Sequence, residues 1–228
     1  MSEAEAEIAA RLAEVRERIE RAALAAGRDP ASVRLVAVSK GQPAAKIRAA
    51  YAAGQRVFGE NYAQELKAKA AELAGLEGLR WHFTGHLQTN KARLVAPIVE
   101  MVQTLDSEAL GRELAKRAPG HRLRALIEVN IGAEAQKGGV SPEAALGVTR
   151  ALLGVAGLEV AGLMCVPPAG EPPRPAFARL RELRDAMAIS LNRALPELSM
   201  GMSSDFEDAI AEGATLVRVG TAIFGERA

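Results

Sequence analysis

The chain holds a single cysteine, Cys165, and that scarcity excludes an internal disulfide and any metal site built from several thiolates. Histidine is nearly as rare. Of His82, His86 and His121, only His82 and His86 have the i,i+4 spacing of a zinc-binding helix, and Gly85 sets them in a strand-end context instead. Metal chemistry is not expected. A net charge is also missing: 29 lysines and arginines almost cancel 28 acidic residues, so no overall field draws the chain to nucleic acid or anionic lipid. No apolar run approaches the roughly 20 residues that cross a bilayer, and the charged opening MSEAEAEIAARLAEVRERIE does not read as a signal peptide. The expected location is the cytoplasm, with neither membrane nor nucleic acid as partner.

What is present is a rhythm. The 228 residues, 49% apolar and 25% charged, suffice for one large globular domain. Ile8, Leu12, Val15 and Ile19 form one stripe of a helix over residues 1–27, expected to pack on its own barrel and leave a monomer. Strand-like runs then follow at 34–39, 56–59, 79–84, 101–105, 123–130, 158–166, 198–202 and 215–219. Between them lie helix-like stretches at 44–53, 62–73, 89–95, 108–117, 142–153, 175–194 and 204–212. Ser107 and Ser141 suit N-caps, Pro142 a first helical position, and Gly54, Gly154 and Gly213 helix stops. An open doubly wound sheet shares this alternation, but the count of eight favours an α/β fold of the (β/α)8 TIM-barrel type with an extra N-terminal helix. No glycine-rich dinucleotide fingerprint follows the first strand, which points the same way. The expected organisation is a single domain over 1–228, with the barrel at 34–225. The proline-rich PPAGEPPRPA, 167–176, reads as a stiff exposed loop.

In such a barrel the chemistry lies at the carboxyl ends of the strands. The run RLVAVSKGQP puts Lys40 at the end of the first buried strand, where partial desolvation favours the neutral amine that attacks an aldehyde. Strand seven leads into GMSSDFEDAI, where Ser204 and Glu207 have capping-box spacing and Ser203 stands just before the helix. Strand eight ends in RVGTAIFG, where Gly220 allows close backbone approach and Thr221 adds a hydroxyl. Barrel closure brings strand eight beside strand one. An amine beside a phosphate cradle fits a Schiff base to a phosphorylated aldehyde. Each part also has a plainer reading: an ion-paired lysine, an ordinary cap, a turn.

The strings LVAVSKGQP, RVFGENYAQE, WHFTGHLQTNK, LSMGMSSDFEDAI and LVRVGTAIFG closely resemble the pyridoxal-phosphate homeostasis protein family, whose bacterial members are single-domain relatives of the alanine racemase barrel. The resemblance implies that Lys40 forms an internal aldimine with pyridoxal 5′-phosphate (PLP), that Ser203, Gly220 and Thr221 hold the phosphate, and that Asn61 lies near the cofactor. Arg218 corresponds to an arginine directed at the pyridine nitrogen or serving the phosphate; at the nitrogen it would keep the ring a weak electron sink. Thr84 and His86 receive no role, His82 is expected to be a packed barrel residue, and NIGAEAQKGG, with Glu134, Lys137 and Gly138, a loop at the mouth. A racemase would need a second proton-transfer group, which related enzymes take from another domain. The chain ends at Ala228, soon after strand eight, and Tyr51 and Tyr62 fall in helix-like stretches as packing or surface residues. The expectation is a PLP-binding protein of vitamin B6 homeostasis, delivering to PLP-accepting enzymes with little or no turnover. A weak PLP-dependent racemase, with Lys40 and a water or His86 as bases, and a Schiff-base aldolase are the alternatives.

Overall fold

The computed structural model describes residues 2–118, 120, 122–134 and 136–226, and so leaves His121 outside the described residues. Its strands are short and apolar: β1 (Arg34–Val38), β2 (Val57–Glu60), β3 (Arg80–Phe83), β4 (Met101–Leu105), β5 (Leu123–Glu128), β6 (Leu158–Met164), β7 (Glu197–Ser199) and β8 (Leu216–Val219). They pair in chain order and close into a barrel, with β1 parallel to β8 through Arg34↔Leu216 to Ala37↔Val219. Parallel strands need crossovers, and these are α2 (Ala44–Ala52), α3 (Ala63–Glu72), α4 (Ala92–Val95), α5 (Glu108–Arg117), α6 (Pro142–Leu152), α7 (Arg174–Leu191) and α8 (Phe206–Ala211). The expected (β/α)8 barrel is what forms. Its N-terminal helix α1 (Glu3–Ala25) starts in a capping box between Ser2 and Glu5, and a last turn, α9 (Thr221–Phe224), follows β8. The apolar stripe of α1 (Ile8, Leu12, Val15, Ile19 and Ala23) is buried, with the helix lying against α2, α8 and α9 of its own barrel.

Alternation along each strand splits the core in two. Ala37, Phe58, Phe83 and Ile127 face the helices in the larger cluster, whereas Val36, Val57, Met101, Leu126, Ala161, Met164 and Leu216 form a small inner one. At the amino-terminal end the barrel is closed by charge: Glu197 pairs with Arg34 and, at 2.7 Å, with Arg124, and takes the Thr215 hydroxyl at 2.7 Å. These partners overcome burial and hold the Glu197 carboxyl below its ordinary value.

Several local readings need correction. The Ser204–Glu207 capping box does not form: α8 starts at Phe206, Asp205 is its N-cap residue, and the Asp205 carboxylate turns back to the Met202 amide at 2.6 Å. Glu207 is instead taken by Arg18 of α1 at 2.7 Å, a partner 189 residues away that no local pattern shows. The stretch 89–95 divides into a 3-10 turn, Thr89–Lys91, and α4. Helix α7 starts at Arg174, shortening the proline loop, and stops at Leu191 because Asn192 turns left-handed at φ 47°. Gly54 and Gly213 are left-handed at φ 88° and 95°, as stops should be, but Gly154 is not, and Leu153 caps α6. Ser107 and Ser141 do cap, each accepting an amide at 3.3 Å.

Two glycines test this packing in opposite directions. A Cβ at Gly162, which pairs with Glu197 across β6 and β7, would lie 1.9 Å from the Glu197 carbonyl oxygen, whereas one at Gly147 on α6 would meet nothing within 4 Å. Denaturant unfolding should show Gly162→Ala less stable by about 3 kcal/mol. Gly147→Ala should be more stable by about 1 kcal/mol, through helix propensity alone.

Candidate functional site

The end of β1 is a tight turn. The Ser39 amide pairs with the Gly59 carbonyl at 2.9 Å, the Gln42 amide returns to the Ser39 carbonyl at 3.0 Å, and Gly41 supplies the positive φ of 69°. Lys40 occupies the corner of that turn, half-buried, and lines a cavity of about 350 Å³, the size of a small-ligand site.

Opposite Lys40 are the ends of β7 and β8. Ser203 and Thr221 meet hydroxyl to hydroxyl at 3.1 Å, and the Ala222 amide points at Ser203 Oγ from 3.4 Å. Gly220 lies so close to β1 that a Cβ there would sit 3.1 Å from the Val38 carbonyl. The closeness that puts this hydroxyl-lined rim beside Lys40 therefore depends on the glycine. Asn61, at the end of β2, closes a third side and accepts from the Thr84 hydroxyl at 3.0 Å. Met164, Val166 and Val38 make the apolar wall.

Arg218 is the floor. It is 5% exposed and donates to Ser199 Oγ at 2.6 Å and to the Cys165 carbonyl at 2.9 Å, while no carboxylate among the described residues pairs with it within 4.0 Å. Burial lowers its pKa from the ordinary value, while the charges of Glu128 and Asp205 oppose that shift. A buried guanidinium without a contact anion, below a hydroxyl-lined rim, favours an anionic or electron-rich ligand. The same guanidinium starts a polar chain through the barrel: Ser199 donates to Gln103 Oε1 at 2.6 Å, and Gln103 Nε2 lies 2.8 Å from His82 Nδ1. Arginine can only donate, so the direction of the chain is fixed, and His82 Nδ1 must accept. The imidazole proton is then on Nε2, which lies 3.8 Å from Glu100.

All six residues singled out from the sequence, Lys40, Asn61, Ser203, Arg218, Gly220 and Thr221, line this one cavity. Thr84, left without a role, lines it too. His86 is mostly exposed beside Asp106 at 3.7 Å and is not in the lining. His82 is a buried barrel residue, as expected. Tyr51 donates to the Glu77 carbonyl and Tyr62 is exposed, so neither reaches the cavity. In the NIGAEAQKGG loop Lys137 pairs with Glu134 and donates to the Pro167 carbonyl at 2.8 Å, which ties that loop to the proline-rich one. Sequence reasoning missed the Ser199–Gln103 link and a cluster behind Lys40, formed by Glu60, Glu65 and Lys69. The available signal was the i,i+4 pair Glu65 and Lys69 with its lysine on the buried side of α3.

Fold and site together define a (β/α)8 barrel that presents the Lys40 side chain and a hydroxyl-lined rim at the carboxyl ends of its strands. The profile of the alanine racemase N-terminal domain matches residues 10–228. A protein of Pseudomonas aeruginosa named pyridoxal phosphate homeostasis protein is 48% identical over 225 residues, covering 96% of both chains, and one of the same name from Aquifex aeolicus is 46% identical over 222 residues, covering 95% and 97%. Among solved structures, PipY of Synechococcus elongatus with PLP bound is 39% identical with a TM-score of 0.84, covering 96% of this chain and 100% of that one. The chain belongs to the alanine racemase N-terminal domain family, and within it to the pyridoxal phosphate homeostasis proteins.

The polar chain predicts how His82 titrates. Burial pushes its imidazole below the ordinary value, against the pull of Glu100. On acidification the unfolded chain therefore takes the proton first, and stability is lost as pH falls from about 6.5 toward the folded value, by at most about 1.4 kcal/mol per pH unit. Unfolding titrations should show this slope in the wild type and not in His82→Gln. Nitrogen NMR should find the neutral Nε2–H tautomer at pH 7; a slope unchanged by the substitution would contradict the prediction.

Proposed function

We propose that the chain binds PLP and holds it on Lys40 as a carrier in vitamin B6 homeostasis, with little or no turnover. One observation carries this reading: the cavity that joins Lys40 to Ser203, Gly220 and Thr221 has Lys40 and Arg218 as its only titratable lining groups among the described residues. The residues fit the cofactor's parts. Ser203, Thr221 and the backbone at Gly220 would take the phosphate, Met164, Val166 and Val38 the ring faces, and Asn61 and Arg218 its polar edge. When bound, PLP supplies an electrophilic aldehyde on an electron-accepting ring. Lys40 would supply the amine that bonds that aldehyde, with loss of water.

The same lining argues against fast catalysis. Racemisation needs a second group to move a proton opposite Lys40, and among the described residues neither a tyrosine, a histidine nor a carboxylate lines the cavity. Arg218 stays protonated and gives no proton to a ring nitrogen, so it leaves the ring a weak electron sink. Barrel and α1 act as one domain and the chain as a monomer, because the apolar stripe of α1 is already covered by its own barrel. We place it in the cytoplasm, where PLP-accepting enzymes take up the cofactor; no helix among the described residues is long and apolar enough to cross a membrane.

Borohydride reduction of the purified, PLP-loaded protein should bleach its near-visible band and leave the label on Lys40. Lys40→Ala should lose the label yet retain phosphate-dependent binding weakened about tenfold or more, since the cradle remains. Incubation with single-enantiomer amino acids in deuterated water should give no α-carbon exchange above that of free PLP. Labelling elsewhere in the wild type would refute the role of Lys40, rapid exchange would favour a racemase, and trapping only with a sugar phosphate an aldolase.

A further inference from the structure

Behind Lys40 stand three charged residues that the ligand cavity does not use. Lys69, on the buried side of α3 and 7% exposed, donates to Glu60 Oε1 at 2.7 Å, to Glu65 Oε1 at 2.6 Å and to the Ser39 carbonyl at 2.7 Å. Glu65, one turn earlier on the same helix, accepts from the Gly41 amide at 2.7 Å. Glu60, at the end of β2 and 0% exposed, also takes the Ser39 hydroxyl at 2.6 Å.

The pattern of backbone contacts is informative. The Ser39 carbonyl belongs to the peptide group before Lys40, and the Gly41 amide to the peptide group after it. Since peptide groups are planar, the two backbone torsions of Lys40 are fixed once both planes are held. Lys69 holds one plane and Glu65 the other. Stability alone is a poor reason for such a cluster: buried ion pairs are often no more stabilising than apolar side chains of similar volume. Here the Glu60 Oε2 atom even lacks a hydrogen-bond partner among the described residues. What the cluster does supply is placement. A lysine side chain is long and rotatable, so the reach of its amine depends on a fixed base.

We infer that Glu65 and Lys69, backed by Glu60, are positioning residues for Lys40: they hold the peptide groups on either side of it so that its amine is presented to the aldehyde of the ligand. The inference rests on the reading of Lys40 as the residue that bonds that aldehyde. Because small misplacements of reacting groups cost up to about a hundredfold in rate, releasing one peptide plane should slow the bond-forming step without disturbing the phosphate cradle.

Glu65→Ala tests this, since it removes the acceptor of Gly41 and leaves Lys69 paired with the buried Glu60. Glu65→Gln retains a carbonyl oxygen for the same amide. Two ligands separate the steps: PLP, and 4-deoxypyridoxine 5-phosphate, which has the ring and phosphate but no aldehyde. Stopped-flow absorbance should show covalent attachment of PLP slowed about tenfold or more in Glu65→Ala, with Glu65→Gln within about threefold of wild type. Affinity for the deoxy compound, measured by calorimetry, should change less than about twofold in both. Attachment at the wild-type rate in Glu65→Ala overturns the inference, as do equal losses in attachment and deoxy-compound affinity, which mark general loosening. Glu65→Gln as slow as Glu65→Ala overturns it too, because the hydrogen bond to Gly41 would then not be the cause. A wild type that binds the deoxy compound but never attaches PLP is a different result, and sinks the reading of Lys40 itself.

Discussion

Pairing of β8 with β1 is the constraint on which the site depends. Lys40 lies at one end of the barrel's strand order and Ser203, Gly220 and Thr221 at the other, more than 160 residues later in the chain. They share a rim only because the sheet closes, in the register Ala37↔Val219, so that each strand's next residues emerge together. Gly220 makes the closeness sterically possible, for a side chain there would press on the Val38 carbonyl. An open sheet built from the same elements would leave the amine and the cradle on opposite edges.

Closure also creates an interior that must be filled, and this barrel fills it with charged, apolar and hydrogen-bonded side chains in turn. Glu197 with Arg34 and Arg124 seals the lower end by ion pairing, a few apolar side chains occupy the middle, and Arg218, Ser199, Gln103 and His82 run through as one hydrogen-bonded chain. Each buried polar group in that chain has a partner, which is the condition for such groups to be tolerated. The direction imposed by a donor-only arginine spreads along it and settles a histidine tautomer three hydrogen bonds away. The position of the guanidinium under the ligand cavity is therefore held by residues on β4 and β7 as well as by its own strand.

How much of this could be read in advance depended on distance along the chain. Eight strands were legible because each is an apolar run with a clear stop, and Lys40 was legible because Leu35 to Val38 end abruptly at it. The identity of the ligand came from distinctive strings, not from composition or spacing. Local patterns failed where a distant partner intervened: Ser204 and Glu207 have capping spacing, but Arg18 of α1 takes the glutamate. The cluster behind Lys40 was hidden for the same reason. Glu60, Glu65 and Lys69 look like ordinary surface charges of a strand end and a helix until the pairing of β1 with β2 brings α3 against the turn after β1. Gln103 and Ser199 gave no signal at all, since an isolated polar residue in an apolar strand does not name its partner.

A holder of PLP faces a requirement that an enzyme does not: it must give the ligand up. The cavity fits that requirement in its chemistry. Its rim offers hydroxyls and backbone amides, and the guanidinium in the lining, Arg218, already spends two of its donors on Ser199 and the Cys165 carbonyl. Neutral hydrogen bonds to a phosphate are weaker than bidentate arginine contacts and exchange readily with water. On the proposed reading, a covalent bond to Lys40 would then dominate retention, and another amine would reverse it. On that reading, holding Lys40 rigidly and the phosphate lightly would make the linkage, rather than the cradle, the point at which release is decided. The rigid side is built from buried charge on β2 and α3, the light side from small residues on β7 and β8, and barrel closure is what sets them face to face.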